Sequence, residues 1–195
     1  MRRQIGFIAL AAAPALVKTG TGTLTLHGTN TYLCATCVSN GTLAVTDAQS
    51  LPATTTLRVA TNAVVDLSEK SHTVANLMGS GLVTNGTLTV TGTVWPGYPD
   101  AGTLTVNGAT LAPAKLAYVL GEDGTCGQLA VNGSLDLTGV EITVDNLSAK
   151  GKGSLTLVTA GSITGTPTCS QPEAVIFVDG NSVRLGAVGM TVIIR

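Results

Sequence analysis

The residues whose spacing could most directly do chemistry are four cysteines. Cys34 and Cys37 form a Cys-x-x-Cys, while Cys126 and Cys169 stand far downstream. In a thiol oxidoreductase such a pair lies between a strand and a helix whose N-terminus lowers the thiol pKa. No helical pattern follows Cys37, so redox catalysis has no local support. A zinc site would need a second closely spaced pair, which Cys126 and Cys169 do not supply. What remains is a structural disulfide among the four in an oxidising compartment, or small thiols buried in a core. Four cysteines allow three pairings, and the sequence does not choose among them.

Carboxylates are the next candidates. The seven Asp and four Glu are scattered as Asp47, Asp66, Glu69, Asp100, Glu122, Asp123, Asp136, Glu141, Asp145, Glu173 and Asp179. Glycoside hydrolysis needs two carboxyl groups roughly 5–9.5 Å apart, and only Glu122 and Asp123 are adjacent, between Gly121 and Gly124 in a turn. His27 and His72 have no nearby Ser or acid motif. No catalytic, cofactor-binding or metal-binding set is assigned, and the expectation is a non-enzyme that needs no cofactor. The segment Val94-Trp95-Pro96-Gly97-Tyr98-Pro99-Asp100 holds the only Trp and one Tyr. Trp95 and Tyr98 are therefore the candidate ligand contacts, since exposed aromatics stack on sugars or protein partners. The preferred alternative is that both cover their own scaffold.

Whatever these residues do, strands must position them. One pentapeptide recurs: Gly22-Thr23-Leu24-Thr25-Leu26, Gly41-Thr42-Leu43-Ala44-Val45, Gly86-Thr87-Leu88-Thr89-Val90, Gly102-Thr103-Leu104-Thr105-Val106, Gly127-Gln128-Leu129-Ala130-Val131 and Gly153-Ser154-Leu155-Thr156-Leu157. Each copy puts two aliphatic side chains on one face and Thr, Ala or Gln on the other, the period of a half-buried strand. Asn40-Gly41, Asn85-Gly86, Asn107-Gly108, Asn132-Gly133 and Asp179-Gly180 punctuate the chain as turns. Weaker strands are expected over 56–59, 63–67, 73–77, 115–120, 140–144, 175–178 and 183–185. Asn-Gly turns also suit hairpins in a sandwich. A sandwich, however, has no reason to reuse one pentapeptide, whereas a solenoid stacks like on like.

The expected fold is all-β, a single-stranded right-handed parallel β-helix over residues 16–195, with rungs of about 20 residues, roughly eight in all. Leu24, Leu43, Leu88, Leu104, Leu129 and Leu155 are expected inside it at equivalent rung positions. Three of the four Asn-x-Ser/Thr sequences are Asn-Gly turns leading into strands, so the repeat explains them without glycans.

Composition agrees. Hydrophobic residues make up 44% and charged residues 11%, against about 25% charged in an average globular protein, so disorder is excluded. Only six aromatic side chains are present, which leaves an aliphatic core. A net charge of -1 with no basic cluster after residue 3 excludes nucleic acid as a partner. Residues 1–15, with Arg2-Arg3 before an apolar run from Ile5 to Ala13 and Ala13-Pro14-Ala15, have the order of a signal peptide. The alternative is an earlier strand of the same array. No later segment reads as membrane-spanning, and no closing series of barrel strands is present.

The stretch from Leu16 to Tyr32, with Lys18, Gly20, Gly22-Thr23-Leu24, Gly28, Asn30 and Tyr32 in that order, resembles the passenger-associated transport repeat of autotransporter-type proteins. The family follows with Thr-Gly-Gly-Thr, where this chain has Leu33-Cys34-Ala35-Thr36-Cys37, and then with a Gly-Thr-Leu strand, met here at Gly41-Thr42-Leu43. Later stretches, from Gly92 to Asn107-Gly108, from Gln128 to Leu137, and the close at Thr191-Val192-Ile193-Ile194-Arg195, are similar to the segments that follow such repeats. The resemblance implies a parallel β-helix, secreted or at the bacterial cell surface, as a structural or adhesin-like passenger segment. Surface glycans or other cell-surface proteins would be its partners, and no shared active site is implied.

Overall fold

The computed structural model describes residues 16–99, 101–149 and 154–186. The leader expected over residues 1–15 and the close from Thr191 to Arg195 lie outside them. The order is β1 (Leu16–Lys18), β2 (Thr23–Leu26), β3 (Thr36–Val38), β4 (Gly41–Val45), β5 (Thr56–Val59), β6 (Ala63–Val74) and β7 (Asn76–Gly79). There follow β8 (Leu82–Pro96), β9 (Thr103–Val119), β10 (Gln128–Asp136), β11 (Glu141–Asp145), β12 (Leu155–Thr164), β13 (Ile176–Asp179) and β14 (Ser182–Leu185). One 3₁₀ turn, Leu147–Ala149, is the sole helical element among the described residues.

These strands wind into a parallel β-solenoid of about six turns. One ladder of inward positions runs Leu16, Thr36, Leu57, Leu77, Val94, Leu116 and Ile142, each paired in parallel with the next. A second runs Leu24, Leu43, Val65, Val83, Val106, Val131 and Ala160. A third, shorter ladder places His72, Leu88 and Leu111 above one another, with Leu135 on Ile163 further along. Turn length stretches from 16 residues between His72 and Leu88 to 29 between Val131 and Ala160. Longer corners in the second half explain why fewer turns form than a uniform 20-residue rung implies.

The recurrent Gly-Thr-Leu strands are parallel, but their leucines do not all share one ladder. Leu43 sits in the second ladder and Leu88 in the third. Leu104 and Leu129 pair with each other, two residues ahead of Val106 and Val131 on the same face. Leu155 pairs antiparallel with Leu185. Leu43, Leu88, Leu104 and Leu129 are fully buried, whereas Leu24 and Leu155 are only partly covered and pack on the core.

The last described strands reverse direction. β14 pairs antiparallel with both β12 and β13, and Val183 and Leu185 close the aliphatic interior with no exposed area. At the other end Val17 is 52% exposed.

One inward residue is out of character. His72 is 1% exposed, and neither ring nitrogen has a hydrogen-bond partner of standard geometry among the described residues. Burial lowers its pKa from the ordinary 6.5, and the nearby backbone of Leu67 and Val45 opposes the shift only in part. The imidazole is therefore held neutral, while the unfolded chain takes up a proton below about pH 6.5. Stability from this group is full above that pH and is lost as pH falls towards the depressed folded value.

Two outcomes follow for thermal unfolding. Leu104→Ala should cost about 2–5 kcal/mol, the range for a fully buried leucine, and an unchanged midpoint would contradict its burial. His72→Leu should flatten the fall in midpoint between about pH 7 and about pH 5. An acid dependence identical to that of the parent would show that His72 is not the group responsible.

Candidate functional site

The polar residues of the first two turns form a set of clasps between turns. Lys18, only 6% exposed, donates from Nζ to the carbonyls of Thr19 (2.9 Å), Gly20 (2.7 Å) and Asn40 (3.0 Å). An ammonium has three protons to donate, so this one is fully satisfied, and the bond to Asn40 ties one turn to the next. Gly41 makes the approach feasible. Its φ is +69°, and a Cβ there would lie 2.5 Å from the carbonyl oxygens of Gly20 and Gly22 and 2.8 Å from Lys18 Nζ.

The following corner is clasped in the same manner. The Gly28 amide donates to Asp47 Oδ2 at 2.7 Å, and Thr29 Oγ1 donates to Gln49 Oε1 at 3.0 Å. Asn30 Nδ2 reaches the Ser50 carbonyl at 3.0 Å, while Ser50 Oγ donates back to the carbonyls of Leu26 (3.1 Å) and Gly28 (3.3 Å). The hydroxyls of Tyr32, Thr36 and Thr55 are linked at 2.7 and 3.1 Å, and Thr55 donates on to the Cys34 carbonyl at 2.7 Å. Burial raises the Tyr32 pKa more than its bond to Thr36 lowers it, so the phenol keeps its proton. Thr36 thereby occupies an inward ladder position with no unpaired hydroxyl.

These clasped loops wall a cleft of about 460 Å³, which also reaches Pro52, Ala53, Ser71 and Thr73. It lies on none of the residues singled out from the sequence for ligand contact. Its lining comes from three successive turns, so no linear motif announces it.

The expected ligand-contact pair is split. Trp95 faces outward beside Met78 in the register of β7 and β8 and is partly exposed. Tyr98 instead lines a separate small cavity of about 130 Å³ with Gly97, Pro99 and Val119. The four cysteines are free thiols. Cys37 sits between Val17 and Arg58 in the register of β1, β3 and β5, whereas Cys126 belongs to the core, where burial pushes its thiol up to about 11. That is the opposite of the activation a nucleophilic thiol needs.

The acids serve local geometry. Asp66 accepts from the Ser68 amide (2.8 Å) and Asn85 (3.3 Å). The Thr125 hydroxyl and then its amide hold Asp123 below the ordinary carboxylate value, and the Thr138 amide does the same for Asp136. Glu141 is lowered first by the Ser170 hydroxyl and then by Lys115, which stands 3.1 Å away. Among the described residues no three His, Cys, Asp or Glu side chains gather as a metal site, and no helix is long and apolar enough to cross a membrane.

Lys18, the glycines at 20 and 22, Gly28, Asn30, Tyr32 and the strand at Gly41 thus form one bonded unit spanning two turns. Residues 16–45 match the passenger-associated-transport-repeat family. The repeat begins on the first residue of β1 and ends on the last residue of β4. No match to the chain is found among curated proteins. The role of the repeat's polar residues shows only in the geometry, where each of Lys18, Gly28 and Asn30 is bonded across the gap between turns.

Removing the central clasp should be costly. Lys18→Met, which keeps the length of the side chain and deletes its three donors, should lower stability by about 2–3 kcal/mol, the scale for hydrogen bonds from a charged group. Chemical denaturation would measure it. A variant as stable as the parent would mean that the ammonium contributes no net stability.

Proposed function

We propose that the chain is a structural, adhesive passenger-type β-helix segment of a bacterial secreted or cell-surface protein, and that it is not an enzyme. The observation that carries this reading is the coincidence of the repeat with the clasped double turn that begins the stack. A solenoid held by distributed backbone pairing has no single point of failure for a protease to exploit. The carboxylates engaged in turns and at the Lys115 ion pair support the non-catalytic half. A right-handed winding belongs to the same proposal, because parallel crossovers have that hand in about 98% of cases. Export through residues 1–15 belongs to it also.

The alternative, a carbohydrate-binding or polysaccharide-degrading β-helix, rests on the partly exposed Trp95. The test is expression of the full chain and of a form lacking residues 1–15, with fractionation, and assay of the purified protein on pectic, alginate and glucan polysaccharides with and without calcium. The expected result is export of the full chain alone, resistance to trypsin and no turnover. Turnover abolished by replacing one acidic residue, with folding intact, would overturn the scaffold assignment. Binding lost in Trp95→Ala would favour the alternative.

A further inference from the structure

We propose that the cleft beside Tyr32 and Leu33 is a binding site for an uncharged saccharide. It deepens the adhesive half of the proposed function by naming a ligand class and a site, and that site is distinct from Trp95 and Tyr98.

The volume of about 460 Å³ falls within the range of small-ligand sites, about 300–1,000 Å³. The lining selects the ligand. Of thirteen lining residues, eight carry a hydroxyl or side-chain amide and none carries a formal charge. A charged sugar acid or a phosphate would be desolvated there without a counter-charge. A lipid chain would displace water from the lining hydroxyls and amides without replacing its hydrogen bonds. A neutral saccharide suits both demands, since it presents hydroxyls that donate and accept as well as apolar C–H faces. Tyr32, Leu33, Pro52 and Ala53 supply matching apolar surface in the cleft. Ser71 and Thr73 enter the cleft from the outward face of β6, where that strand is paired with β8.

Leu33 gives the cleft its second mark. It is 86% exposed, the most exposed of the large apolar side chains among the described residues, and contributes nothing to the core ladders. The walls are also fixed in advance. Thr29 is bonded to Gln49, Asn30 to Ser50, and Tyr32 through Thr36 to Thr55. Such bonds leave little ordering cost at the moment of binding. Gln49 lines the cleft and accepts from Thr29 through Oε1, so its exposed NH₂ group remains a donor that a ligand could engage. The outer face continues beyond the cleft in register, Ser71 over Thr87 over Thr110 and Thr73 over Thr89, with hydroxyls spaced about 4.8 Å apart along the axis. An extended neutral glycan leaving the cleft would meet this file next.

The test is calorimetric titration of the full chain with neutral hexasaccharides of glucose, mannose, xylose and N-acetylglucosamine, and with oligogalacturonate and oligoalginate of the same length. The expected result is saturable binding of at least one neutral oligomer and of neither acidic one. Leu33→Glu, at an exposed position, should weaken that binding roughly tenfold or more with the unfolding midpoint unchanged. Gln49→Leu should weaken it too. No saturable binding of any neutral oligomer, preference for the acidic ones, or full binding in a folded Leu33→Glu protein would each overturn the site. Loss of binding in Trp95→Ala with Leu33→Glu unaffected would overturn it in favour of the other position. None of these results alters export, trypsin resistance or absence of turnover, on which the scaffold assignment is judged.

Discussion

Parallel stacking imposes one constraint on every turn: the backbone must arrive in register with the turn before it, and the same side chains must face inward again. In an antiparallel sheet a two-residue turn can meet that demand locally. Here parallel partners lie 16 to 29 residues apart, so each parallel pairing closes a long loop before it returns any hydrogen bond. The interior answers with redundancy. Leu57, Leu77, Val94, Leu116 and Ile142 in one ladder, and Leu43, Val65, Val83 and Val106 in another, are all essentially without exposed area. Aliphatic side chains of nearly equal depth let any turn sit on any other, and six aromatic side chains in 195 residues leave few rings to disturb the repeat.

Interchangeable aliphatic turns cannot fix register by shape alone, since a slip by two residues would again bury Val or Leu. Polar clasps resolve that degeneracy. Lys18 has its third acceptor only if Asn40 lies above it, and Asn30 meets Ser50 only in the observed register. Later turns use the same device more sparingly, with Asn76 on Thr56, Asn146 on the Leu120 carbonyl, Gln171 on both backbone groups of Val144, and Asn181 on the Gly161 carbonyl. A misplaced turn would leave a buried donor or carbonyl unpaired, a penalty of about 1–3 kcal/mol for each. Side chains of short polar residues therefore specify what the hydrophobic ladders stabilise.

This division of labour sets what a linear reading can recover. Alternation in Gly41-Thr42-Leu43-Ala44-Val45 identifies a strand and its inward side, and β4 spans the same five residues. It does not say which ladder the strand joins, because the second and third ladders ask for the same local pattern. Leu88 accordingly looks like Leu43 in sequence and stacks instead on His72. The corners hid more. Asn85-Gly86 reads as a break, yet both residues lie within β8, which bends through that corner with Asn85 at φ +56° and Gly86 at φ +150°. The cleft was the least legible feature. Its walls come from residues 29–33, 48–54 and 71–73, segments that become neighbours only once two turns have closed, whereas Trp95 and Tyr98 drew attention by residue type and proved to face different surroundings.

The uneven distribution of clasps has a physical reason in the nearest-neighbour character of a solenoid. An interior turn is held from both sides, but the first described turn has a described neighbour on one side only, and its inward leucines show it: Leu24 and Leu26 are half-covered while Leu43 and Val45 above them are fully buried. Hydrophobic burial per residue is thus weakest where Lys18, Gly28, Thr29 and Asn30 bond across to the next turn. At the opposite end the same deficit is met differently. β14 turns back across β12, so that Val183 and Leu185 cover the last described inward positions with a strand of reversed direction, and β13 pairs along its other side. One described end is tied by polar contacts that preserve the direction of stacking, and the other is covered by an antiparallel pair of strands.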